Sequence, residues 1–136
     1  MIFLTVSVLA LSFPGCGKKE NTSDRTLRVG IVTYTQDDPF INTMTEQIRE
    51  DLKLKESKDM KILVSVKNGD NDQRDQDELV EEMIAAGCDV LCVNLVDRTA
   101  PSDIIKAARQ EKIPVIFFNR EPVKEDLMQL SLIHIS

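Results

Sequence analysis

The chain has 136 residues, 42% of them apolar and 29% charged, which leaves room for one globular domain with an ordinary core. Seventeen Lys and Arg against 23 acids give a net charge of -6, which argues against a nucleic-acid surface, since that needs clustered positive charge. The single histidine, His134, stands in the last three residues, so metal and histidine chemistry are poorly supplied.

The chain opens on "MIFLTVSVLALSF", an apolar run shorter than the ~20 residues that span a bilayer, and it reads as the apolar core of an export signal over residues 1–15. Gly15-Cys16 resembles the end of a bacterial lipobox, whose cysteine becomes the lipidated first residue of the mature protein. Phe13 and Pro14 depart from that pattern, and no Lys or Arg precedes the apolar run. Lipidation of Cys16 is the expectation; a plain cleaved signal with a spare thiol is the alternative. The polar stretch at 16–26 then reads as a tether with too little apolar surface to fold.

From Leu27 the chain repeats one pattern, and residues 27–130 are expected to form the folded part. "LRVGIVTY" reads as a buried strand. Phe40 to Glu56 reads as a helix with Ile41, Met44, Ile48 and Leu52 on one stripe. "MKILVSVKN" is a second strand, followed after "GDND" by a helix with Leu79, Val80, Met83 and Ile84 inward and Gly87 as its stop. "DVLCVN", a helix over Ser102 to Glu111 and "PVIFFN" complete four strands. Continuous apolar strands alternating with amphipathic helices predict a doubly wound α/β fold with a parallel sheet. In a strand, Cys88 and Cys92 would share one face ~13 Å apart at ~3.3 Å per residue, beyond disulfide reach, so both read as core thiols.

In open parallel sheets, ligands bind outside the carboxyl ends of the strands. Here the first strand runs into Asp37-Asp38, and the other three end at Asn68, Asn94 and Asn119. Each can serve as a turn or cap: Asn tolerates left-handed backbone, and Asp38 before Pro39 is a good helix N-cap. Together they make a rim of amides and carboxylates. No glycine-rich phosphate loop follows the first strand. A neutral polyhydroxylated ligand suits the rim better: Asp accepts from hydroxyls, Asn donates and accepts, and Phe40 or Tyr34 offers an apolar face.

These blocks, "RVGIVTYTQDDPF", "NGDNDQRDQ", "VNLVD" and "IPVIFFNREP", resemble segments of the bacterial galactose/glucose-binding proteins, the substrate-binding components of ABC sugar importers, from about Arg28 to Pro122. The resemblance implies the N-terminal lobe of a two-lobe periplasmic-binding-protein fold, with a monosaccharide as ligand and a permease and ATPase, or a chemoreceptor, as partners. It implies that Asp38 hydrogen-bonds the sugar, that Phe40 stacks on its ring, that Asn119 contacts its hydroxyls and that Tyr34 lines the site, with Asn94 as support for the rim. Pro39 stands where the family has asparagine, and Arg120 where it has lysine. No cofactor is expected in these residues, because the family's calcium loop belongs to the other lobe; with only four strands, the lobe here is expected to be incomplete. "SLIHIS", residues 131–136, departs from the pattern and reads as a non-native tail.

Other functions fit less well. "DNDQRDQDELVE" begins like a calcium loop, but Asp75 replaces the required glycine and Arg74 occupies a ligand position. A glycosidase needs two carboxyls flanking a bond from opposite sides, and Asp37 and Asp38 are adjacent. An exported sugar sensor for a membrane signalling partner, and a binding protein for another monosaccharide such as ribose, remain open.

Overall fold

Residues 25–123 are described by the computed structural model. The export segment, Cys16, the tether as far as residue 24 and the tail at 131–136 lie outside the described residues. Strand β1, Arg25–Thr33, starts two residues before the expected Leu27, because Arg25 donates its amide to the Asp59 carbonyl and pairs with Met60. It runs from exposed Arg25 to five consecutive buried residues, Val29 to Thr33, as a central strand covered on both faces should.

The remaining elements follow the predicted alternation: α1 over Pro39–Lys53, β2 over Met60–Asn68, α2 over Gln73–Ala85, β3 over Val90–Val93, α3 over Ser102–Gln110 and β4 over Val115–Phe117. All three strand pairings are parallel, in the order β2-β1-β3-β4. The doubly wound α/β fold is therefore the observed one. Strand order reverses between β1 and β3, and that point lies at the centre of the sheet.

Two apolar clusters divide the faces. Val80 and Met83 of α2 and Ile104 and Ala108 of α3 pack with Val32, Leu91, Val93 and Leu95. On the opposite face, Ile48 and Leu52 of α1 pack with Val29, Ile31, Ile62 and Val64. Each fully buried Leu, Ile or Val contributes about 1.5–3 kcal/mol relative to exposure.

Gly87 ends α2 as the sequence predicts. Its φ is 83°, its amide bonds the Ile84 carbonyl, and the Cys88 amide reaches back to Met83, closing the helix end with two bonds. Cys88 thus lies in that closing turn before β3, not in the strand. It packs with the α2/α3 cluster while Cys92 packs with the α1 cluster, so the two thiols occupy opposite faces rather than one. The third and fourth strands also stop before Asn94 and Asn119, whose side chains and turns take over from the ladder.

Candidate functional site

The carboxyl edge at the β1/β3 switch point gathers most of the polar residues singled out in the sequence. After Thr33 the chain turns tightly: the Thr35 hydroxyl accepts from the Asp37 amide at 3.2 Å, and Asn42 returns from α1 to donate to the Gln36 carbonyl at 2.6 Å. Asp38 then stands in extended backbone, φ -89° and ψ 111°, as the N-cap of α1 with Pro39 in the first turn. Its Oδ1 accepts the Phe40 amide at 2.9 Å, and its Oδ2 accepts the Tyr34 hydroxyl at 2.7 Å. The Tyr34 hydrogen bond, then that of Phe40, holds the Asp38 carboxyl below its usual pKa. The same bond to Asp38, with partial burial and the carboxylate charge, pushes the Tyr34 phenol up, and the nearby Arg120 charge opposes it.

Tyr34 also connects to the next strand. Its amide donates to Asn94 Oδ1 at 3.3 Å, and Asn94 Nδ2 donates to the Phe118 carbonyl at 3.1 Å and to Asn119 Oδ1 at 3.2 Å. Asn94 is completely buried, so its amide staples the ends of β1, β3 and β4 together rather than facing outward. Asn119 is exposed and has a φ of 57°, at the centre of a tight turn closed by the Arg120 amide on the Phe118 carbonyl. Tyr34, Asp38, Asn94 and Asn119 are thus linked in one chain of hydrogen bonds. Phe40 stands at the same edge with its side chain turned out, 59% exposed. Asp37 is exposed beside it.

Asn68 plays a more local part. Its Oδ1 accepts the Asp70 amide at 3.1 Å and starts a turn in which Asp70 and Asn71 both have positive φ. That turn folds onto β1: Gly69 and Asn71 donate their amides to the Thr33 and Tyr34 carbonyls, each at 2.8 Å. A Cβ on Gly69 would lie 2.8 Å from the Thr33 carbonyl oxygen, so the close approach requires glycine.

Three supporting residues were not assigned from sequence. Gln76, fully buried, donates to the Asn94 carbonyl at 3.0 Å and accepts the Val96 amide at 2.9 Å. Gln73 accepts the Asp97 amide at 2.7 Å. Arg120 donates to the Leu95 and Val96 carbonyls at 2.6 and 2.7 Å, and its guanidinium carbon sits 4.7 Å from the centre of the Tyr34 ring. Gln76 precedes Val80 and Met83 by four and seven residues, so a polar residue on the core-facing stripe was the available signal.

Chemically, the rim presents a carboxylate held in its charged form, a phenol, a carboxamide and an exposed aromatic ring. It offers acceptors, donors and an apolar face, which is the equipment for holding hydroxyls and C–H groups. Among the described residues, no three His, Cys, Asp or Glu side chains gather to hold a metal ion.

Residues 29–131 match the periplasmic binding protein domain family. This chain belongs to that family. It is 34% identical over 95 residues to the D-galactose/methyl-galactoside binding periplasmic protein MglB of Haemophilus influenzae, covering 70% of this chain and 28% of the relative. The ribose import binding protein RbsB of Bacillus subtilis is 26% identical over 125 residues, covering 88% of this chain and 39% of the relative. A solved ABC-transporter periplasmic solute-binding protein from Actinobacillus succinogenes with bound D-allose superposes with a TM-score of 0.63 at 21% identity, over 77% of this chain and 36% of that one. The chain therefore spans well under half the length of the relatives it matches.

Proposed function

We propose that this chain is the N-terminal lobe of the substrate-binding component of an ABC importer, and that it captures a hexose, galactose or glucose, outside the membrane. The observation that carries the reading is the joining of Asp38, Tyr34 and Asn119 at the switch point, with Phe40 exposed beside them. Asp38 supplies a charged acceptor to sugar hydroxyls, Asn119 both donates and accepts, and Phe40 lies against the ring's C–H face. Asn94 aligns these residues from beneath. Asn119 has a positive φ of 57°, which asparagine tolerates, in the turn that places its side chain on the rim.

The similarity to the Haemophilus galactose/methyl-galactoside protein supports a hexose; the similarity to the ribose protein, which reaches over more of this chain, favours a pentose as the second reading. In this proposal, Cys16 carries a lipid anchor that keeps the protein at the outer face of the membrane, where the permease and its ATPase receive the sugar. The function is capture and release without bond cleavage.

Calorimetry on a chimera that joins this lobe to the C-terminal lobe of the Haemophilus relative tests the ligand. D-galactose or D-glucose should bind more tightly than D-ribose. Binding of ribose alone would replace the hexose with a pentose, and binding of none of the three would remove the sugar reading. A single lobe covers one side of a sugar and cannot close over it, so the isolated chain should bind weakly. In a bacterial host, labelled fatty acid should be incorporated and Cys16→Ser should abolish it; unchanged labelling would remove the anchor.

A further inference from the structure

We propose that Arg120 is a positioning residue: it fixes the Tyr34 ring so that the phenol stays on Asp38, and through Tyr34 it supports the binding rim. The inference rests on the proposed rim for its consequence, but its test uses no sugar.

The guanidinium is committed on two sides. Its edge donates through Nε to the Leu95 carbonyl at 2.6 Å and through Nη2 to the Val96 carbonyl at 2.7 Å. Its carbon lies 4.7 Å from the centroid of the Tyr34 ring. A planar fork that meets two successive carbonyls has one orientation, which a single ammonium cannot reproduce.

Those carbonyls are themselves held in place. The Leu95 amide donates to the Arg120 carbonyl at 3.2 Å. Gln76 takes the Asn94 carbonyl and the Val96 amide, and Gln73 takes the Asp97 amide. The loop after β3 is thus tied to α2 on one side and to Arg120 on the other, and Arg120 transmits its position to Tyr34.

Tyr34 needs such a support. It lies beyond the end of β1, its ring is only partly buried, and its hydroxyl must stay at 2.7 Å from Asp38 for the carboxylate to keep its direction. Asp38 is fixed at Oδ1 by the Phe40 amide and at Oδ2 by Tyr34. Arg120 therefore reaches the ligand-facing carboxylate through one intervening side chain.

The chain contains one tyrosine and no tryptophan, so tyrosinate absorbance, and ultraviolet emission excited beyond the phenylalanine band, both report on Tyr34 alone. Alkaline titration of the whole chain is the test, with Arg120→Lys and Arg120→Met. The bond to Asp38 raises the phenol pKa and the Arg120 charge lowers it, so the two roles predict opposite results. If Arg120 positions Tyr34, the midpoint should fall toward the ordinary tyrosine value in both variants, as it should in Asp38→Asn. If Arg120 acts only as a nearby charge, the midpoint should rise in Arg120→Met and stay put in Arg120→Lys; either result would overturn the inference. Arg120→Lys keeps the charge and most of the stem, so it carries the test if Arg120→Met fails to fold. At neutral pH, Tyr34 emission should increase in folded Arg120→Lys as the quenching carboxylate bond loosens, and unchanged emission would count against the inference. A fall in midpoint alongside a chimera that binds no sugar would sink the proposed function and leave the positioning role standing.

Discussion

Asp38 at the start of α1 and Asp72 at the start of α2 share one local design. Each has extended backbone, and each accepts the amide two residues ahead at 2.9 Å. Their surroundings separate them. Asp72 uses one oxygen for both cap bonds, to Arg74 and Asp75, and the turn it starts sends Gln73 and Gln76 inward to the loop after β3. Asp38 gives its second oxygen to Tyr34 and stands where the strand order reverses. A cap is a local necessity for the helix, whereas a binding group is made by what the sheet places next to it.

The largest expected effect comes from the inward use of α2. Gln76→Leu keeps an apolar stem in the core but leaves the Asn94 carbonyl and the Val96 amide without partners, at about 1–3 kcal/mol each. Denaturant unfolding should show a loss of about 2–6 kcal/mol, a large share of a small domain's stability. A loss below about 1 kcal/mol would mean that the loop after β3 finds other partners.

The two-lobe chimera sharpens the contrast between neighbouring acids. Asp38→Ala should weaken sugar binding about 10- to 150-fold, the range for losing hydrogen bonds to a charged acceptor. Asp37→Ala, at an exposed side chain, should change affinity little. Equal losses would break the distinction that the rim draws between them. If Asp38→Ala lowers the melting temperature and leaves affinity intact, Asp38 is a cap and nothing more.

Asp72→Ala should cost ~1 kcal/mol of stability, the usual value of an N-cap, with sugar affinity unchanged. A matching loss of affinity would show that the start of α2 supports the rim as strongly as the start of α1. The smallest expected effect is in acid. The Asp38 pKa is lowered in the folded chain, so its contribution to stability is present above the ordinary aspartate range and is lost as pH falls through the lowered value. Below about pH 4, the parent should therefore lose more stability than Asp38→Asn, and parallel melting-temperature curves would contradict this.

The strands and helices were legible because their apolar spacing is regular. Ile41, Ile48 and Leu52, and then Val80 and Met83, turn to the core as the periodicity requires. Asp38 was legible as a cap from the following proline, and the gathering of Asn94 and Asn119 followed from their places at strand ends. The division of labour between them was not, since whether an asparagine faces outward or inward depends on the neighbouring strand: Asn94 is buried under Tyr34 and Phe118, while Asn119 is exposed. Arg120 and Gln76 were harder still, because both act on backbone groups at least 18 residues away in sequence. Such contacts exist only once the strands have paired.

The placement of Cys88 and Cys92 has a consequence for their reactivity toward each other. The sheet stands between the two thiols, and burial raises the pKa of each, which leaves little thiolate to be oxidised. Joining them would require the sheet to open, so the folded lobe keeps them from reacting with each other. In the native fold of the described residues, Cys88 and Cys92 therefore stand as two separate buried or half-buried thiols.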